Sequence, residues 1–157
     1  MTELPVWAGN LDGPLRESFG GVWRRLPEYA RLLIESVAPQ LVAITNQQAI
    51  GLGWPDDRWG QLWSHCEPGE TATVEIRLRS GGDPAETRFA IAHELAHVVL
   101  RHHELSEMNI LMGDGESQHV RFFIDDHADY VASRWLPDEF EFVLCKRPGS
   151  PRWYRSD

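Results

Sequence analysis

Hydrophobic and polar positions change period several times along the chain, and each change predicts an element. Between Leu15 and Val37 apolar residues recur at helical spacing: Phe19, Val22, Trp23 and Leu26, then Tyr29, Leu32, Leu33, Ile34 and Val37. Gly20, Gly21 and Pro27 are expected to split this stretch into two helices, the second near 28–36. The β-branched run LVAIT, 41–45, reads as a strand, and AIGLGWPDDRWGQLW, 49–63, as short strands or a loop packed by its own aromatics. TATVEIRLRS, 71–80, alternates cleanly. Ala72, Val74, Ile76 and Leu78 fall on one side, and Thr71, Thr73, Glu75, Arg77 and Arg79 on the other. That is the pattern of a half-buried strand with a solvated face, ended by GGDP.

Asp83 is placed to cap a helix, with Pro84 in its first position and Glu86 three residues after the cap. The body of that helix, AETRFAIAHELAHVVLRHH, has an apolar stripe at Phe89, Ala92, Ala96 and Val99. Its middle is apolar nearly all round, as a buried helix is. Residues 105–120, with Gly113 and Gly115, read as a mobile connection. A last helix is expected over 120–136, stopped by Pro137, after which PDEFEFVLCK is expected to pair or cap. Residues 1–14 read as an irregular arm and 147–157 as a tail. There is no internal repeat, low-complexity tract or linker. One domain over 1–157 is therefore expected, of α+β class, with a small mixed or antiparallel sheet packed on helices.

Composition narrows the function classes. Apolar residues make up 42% and charged residues 25% of the 157, the mix of a soluble globular chain. A formal charge of −9 is poorly suited to a phosphate backbone, so no direct nucleic-acid contact is expected. The same charge suits a basic protein partner or simple solubility. Cys66 and Cys145 form no pair motif and read as small buried hydrophobes in a reducing compartment. No apolar run approaches the ~20 residues of a membrane span, and no leader pattern opens the chain. A cytoplasmic protein without membrane contact is expected.

The chemistry concentrates in RFAIAHELAHVVLRH, 88–102. On a helix, His93 and His97 lie one turn apart on one face and can aim both imidazoles at one point. Zinc takes nitrogen ligands at about 2.0–2.1 Å and, when catalytic, three protein ligands plus water. Glu94, beside the first histidine, is placed to take a proton from that water. The competing reading is a pair of core histidines satisfied by carbonyls, with Glu94 in a salt bridge. It leaves polar groups in an apolar segment, where unpaired burial costs several kcal/mol, whereas a metal would partner them.

The third ligand is sought in IDDHADYVAS, 124–133. Asp125, Ala128, Asp129 and Ala132 share one helical face, with the alanines allowing close approach. Asp125 would bind zinc and Asp129 would accept a hydrogen bond from a ligand imidazole, fixing its tautomer. His127 and Asp126 remain rivals for the ligand position, since a small rotation of the helix would exchange them for Asp125. Lesser candidates are His102, His103 and His119 for oxyanion stabilisation and Tyr130 as a donor, although surface histidines and a packed tyrosine are the plainer readings. Trp54, Trp59 and Trp63 are expected in the core or as a wall of the cleft, and Arg77 and Arg79 on a solvated strand face.

Together these segments resemble the ImmA/IrrE family of metallopeptidases. RFAIAHELAH is similar to that family's RF-x-x-AHE-x-GH signature, and DDHADYVASRWLP to its second helix, of the form ExEAN-x-FA-x-x-LL-M-P. The two segments cover about thirty residues of the chain. Asp125 falls on the family's first glutamate, Ala128 on its alanine, Asp129 on its asparagine and Ala132 on its later alanine. Ala96 stands for the usual glycine, Asp125 shortens the usual glutamate and His127 replaces a second one. His102 is the nearest match to the trailing histidine and is expected to face neither metal ligand.

The resemblance implies a zincin-like fold, in which strand 71–80 is the edge strand that aligns an extended substrate beside the active-site helix. It implies a zinc peptidase with Zn2+ held by His93, His97 and Asp125 and with Glu94 as general base. The substrate would be a protein or peptide, for instance a basic DNA-binding repressor. The rival function is a zincin-fold module that keeps its metal but acts by occupying a partner, as an antitoxin-like or regulatory subunit does. A purely structural site would instead bring His127 to the metal beside Asp125.

Overall fold

A computed structural model describes residues 3–65, 69, 73–102 and 115–146, with 65 and 115–123 as backbone only. Pro27, not the glycine pair before it, separates the first two helices. Helix α1 runs Gly13–Arg25 and α2 runs Glu28–Val37. Leu26, held extended (ψ 144°) by the proline that follows it, ends α1. Gly20 and Gly21 lie inside α1, one turn before its end. A methyl on Gly21 would touch Arg88 Cδ at 3.6 Å, and one on Gly20 would press on the Arg24 guanidinium. Only Ala30 and Ile34 of α2 are buried, while Tyr29, Leu32 and Leu33 are exposed.

The class is α+β, with six helices and one three-stranded mixed sheet among the described residues. Strand β1 is Gln40–Ile44, β2 is Gly60–His65 and β3 is Thr73–Arg79. β3 is central, parallel to β1 (Leu41 opposite Ile76) and antiparallel to β2 (Leu62 opposite Ile76). The expected edge strand is thus the middle of the sheet, paired on both sides. Between β1 and β2, α3 spans Asn46–Gly51. It is started by a capping box in which Thr45 Oγ1 accepts from the Gln48 amide at 3.1 Å while the Thr45 amide donates to Gln48 Oε1 at 2.8 Å.

Helix α4, Pro84–Val99, is the hub. Asp83 caps it by accepting from the Ala85 amide at 2.9 Å. Phe89, Ile91 and Leu95 join Phe19, Trp23, Ile34, Val74, Ile76 and Leu78 in the main core. Helix α4 touches α1, α2, β2, β3 and both later helices, which is why it is apolar on nearly every side. Helix α5, Gly115–Trp135, packs on it through the fully buried Ala128 and Ala132. The connection expected over 105–120 gives way to this helix from 115, and 103–114 lie outside the described residues.

Helix α6, Pro137–Lys146, replaces the expected pairing or capping segment. Pro137 begins this new helix because a first-turn position needs no amide hydrogen. Phe140 then packs on Phe89, ring centroids 5.7 Å apart. Cys145 is exposed rather than buried, since it lies off the Phe140–Val143 face. Cys66 and the 147–157 tail lie outside the described residues, and the 1–14 arm contains a 3-10 turn, Val6–Ala8. No helix among the described residues is long and apolar enough to cross a membrane.

Candidate metal centre

One helical turn sets His93 beside His97 on α4, and Ala128 and Ala132 let α5 approach close enough for its acids to reach them. The Nε2 atoms of the two histidines stand 3.0 Å apart. Asp125 Oδ1 lies 3.2 Å from His97 Nε2 and 3.4 Å from His93 Nε2. Two imidazole nitrogens and one carboxylate oxygen thus form a small triangle. For a tetrahedral zinc with ligands at about 2.0–2.1 Å, ligand atoms sit about 3.3–3.4 Å apart, and this triangle is close to that size.

The outer nitrogens hold both imidazoles so that the inner ones face one point. His93 Nδ1 meets Asp129 Oδ1 at 2.6 Å, so the carboxylate accepts the Nδ1 proton and Nε2 is the nitrogen that would exchange its own proton for a metal. His97 Nδ1 lies 2.8 Å from His102 Nδ1. With the His97 Nδ1–H donated to His102, Nε2 is again the nitrogen turned towards the centre.

His102 is the residue whose placement the sequence conceals. It was expected at the surface facing neither ligand, yet it is buried against His97, ring centroids 5.1 Å apart. Arg101 causes this. Its φ of 62°, in the left-handed region, turns the chain back at the end of α4, whereas a continuing helix would carry position 102 to another face.

Glu94 completes a cluster with His93 and His97 whose ligand-type atoms all lie within 4.8 Å of one another, a group that could hold a metal ion. Asp125 Oδ1 lies within 3.4 Å of both Nε2 atoms, and Glu94 offers a second carboxylate within 4.8 Å of the two histidines. Burial pushes the Glu94 carboxyl above its usual pKa, against the opposing pull of His93 and His97. Burial alone would lower His93, but the charge of Asp129 and hydrogen bonds to Asp125 and Asp129 outweigh it and hold the imidazole well above its usual value. Desolvation would raise Asp125, yet hydrogen bonds to both histidines hold it well below the carboxylate range. Burial, then His97, lowers His102 to about 4. Taken together, the space between His93, His97 and Asp125 favours positive charge, the condition a cation site requires.

A cleft of about 370 Å³ opens over this cluster, with Gly60, Gln61, Leu62 and Ser64 of β2 as its opposite wall. The other α5 candidates sit elsewhere. Asp126 is half-buried, and the exposed His127 turns its ring towards His102, centroids 5.9 Å apart, while Asp125 supplies the convergent oxygen. Tyr130 is exposed rather than packed, and the side chains of His103 and His119 lie outside the described residues.

Two further expectations need correction. Arg79 is buried, not solvated. Its guanidinium donates to Asn46 Oδ1, to the Pro55 carbonyl at 3.3 Å and to the Arg58 carbonyl at 3.4 Å, and lies over the Trp59 ring. The loop before β2 covers that end of the strand, which alternation along β3 cannot reveal. The three tryptophans do not act as a group either. Trp54 is in a small core cluster with Ile44 and Ala49, as expected, whereas Trp59 lies under Arg79 and Trp63 is exposed beneath Arg77. No protein-family model, curated protein or solved structure matches this chain.

Proposed function

We propose that the protein is a zinc-dependent peptidase of the HExxH type, with zinc held by His93, His97 and Asp125 and with Glu94 as general base. The observation that carries this reading is the triangle of two imidazole nitrogens and one carboxylate oxygen at 3.0–3.4 Å, with a buried glutamate beside it at the floor of a cleft. A bound zinc supplies Lewis acidity, drawing electron density from a carbonyl and making water a stronger acid. Glu94 takes a proton from that water and returns it to the leaving amine. Asp129 and His102 keep the two imidazoles aimed inward.

The substrate is an extended protein segment. Strand β3 already has a partner on each side, so the segment adds to the outer edge of β2, which walls the cleft. A small mixed sheet beside the HExxH helix and a second acid-bearing helix agree with a zincin-like architecture and with the ImmA/IrrE resemblance. On that resemblance, and with a charge of −9, a basic DNA-binding repressor is the substrate class to try first.

The test is direct. Purified protein should contain about one zinc per chain and should cleave casein or a repressor from a candidate panel. Glu94→Gln should keep the zinc and lose cleavage, and turnover retained in that variant refutes the assigned role.

A further inference from the structure

Where β2 begins, its backbone lies directly against the Glu94 side chain. A Cβ added at Gly60 would come within 3.0 Å of Glu94 Cγ and 3.1 Å of Oε2. Gly60 is not among the residues with positive φ, so its backbone imposes no need for glycine. What the position needs is space. We infer that Gly60 is a positioning residue for Glu94: the bare backbone of β2 forms the wall that sets the carboxylate's direction, and any side chain there would displace it.

The strand cannot retreat to make room. Gly60 is paired with Leu78 on β3, and the preceding residue is fixed three ways. The Trp59 carbonyl accepts from the Arg79 amide at 3.0 Å, its ring lies 4.9 Å from the Arg79 guanidinium carbon, and the same ring fills the space over Gly82. A Cβ on Gly82 would stand only 2.8 Å from it. Two glycines therefore work in series: Gly82 admits the indole that anchors the start of β2, and Gly60 admits the glutamate beneath it. On the other side, α4 is packed into the core at Leu95 and Ile91, so its backbone cannot shift either. The side chain of Glu94 is the part able to move, by a few tenths of an ångström, which is enough to spoil a proton transfer that depends on hydrogen-bond distance.

This inference rests on the peptidase reading for its kinetic consequence. In zinc-loaded full-length protein, with a fluorogenic peptide selected for cleavage by the parent, Gly60→Ala should lower kcat about tenfold while KM and zinc content stay unchanged. A loss confined to KM, or an unchanged kcat, overturns the inference. Denaturant unfolding supplies a reading that needs no turnover. Gly60→Ala should destabilise the parent and have no such effect on Glu94→Ala, and equal shifts in both backgrounds overturn the inference. A parent that binds zinc but cleaves nothing sinks the peptidase reading instead, and the unfolding comparison then decides the role of Gly60.

Discussion

His93 Nδ1 and Asp129 Oδ1 meet at 2.6 Å across the α4–α5 interface, shorter than the other described contacts of the histidine pair. Its counterpart at the second histidine is not a carboxylate but the neutral imidazole of His102. The two imidazoles are thus braced unequally, one by a charge and one by a dipole.

That inequality should appear in metal binding. Asp129→Ala is expected to weaken zinc affinity about 10–100-fold, and His102→Ala by the lower end of that range. Competition against a chromogenic chelator measures both. Equal affinities in the parent and Asp129→Ala would show that the brace does not tune the ligand.

The choice among three consecutive α5 residues is open to a simple comparison. Asp125→Ala should remove stoichiometric zinc from the purified protein, because its oxygen is the one within 3.4 Å of both Nε2 atoms. Asp126→Ala and His127→Ala should keep it. Loss of metal in the His127 variant with retention in the Asp125 variant would reverse the assignment.

Glu139 gives a prediction about stability independent of the metal. Its buried carboxylate accepts from Arg25 on α1 at 2.6 and 3.1 Å and from Arg88 on α4 at 2.8 Å, tying three helices together. Burial would raise its pKa, but the hydrogen bonds to Arg25 and Arg88 outweigh burial and lower it from 4.5 to about 2. The stabilisation is therefore whole above about pH 4.5 and is lost as pH falls from there towards 2. Glu139→Gln should cost about 1–3 kcal/mol at neutral pH, less than a wholly buried pair because both arginines stay partly exposed. It should also flatten the decline in stability below pH 4.5. Urea unfolding at pH 7 and pH 3 checks both, and an unchanged slope would count against the network.

What could be read from the chain was what local chemistry dictates. Asp83 with Pro84 marks the start of α4, alternation marks β3, and the spacing of 93 and 97 puts two imidazoles side by side. What could not be read depended on partners distant in sequence. Whether β3 is an edge or a centre is decided by β1 and β2, and alternation is the same in either case. Arg79 shares the periodicity of Arg77, yet the loop carrying Pro55 and Arg58 closes over one and not the other. His102 required knowing that Arg101 adopts a left-handed conformation. Pro137 ends one helix and starts the next, and the rule for ending a helix and the rule for starting one invoke the same residue.

Helix α5 presents Asp125 and Asp129 from successive turns of a single rod laid along α4 on two alanines. A sliding error of one residue would misplace both acids at once, and no intermediate alignment retains either function. Occupancy of the centre and correct seating of this rod should accordingly rise and fall as one event, so that a chelator loosens the helix and a tighter seat strengthens the grip on the ion.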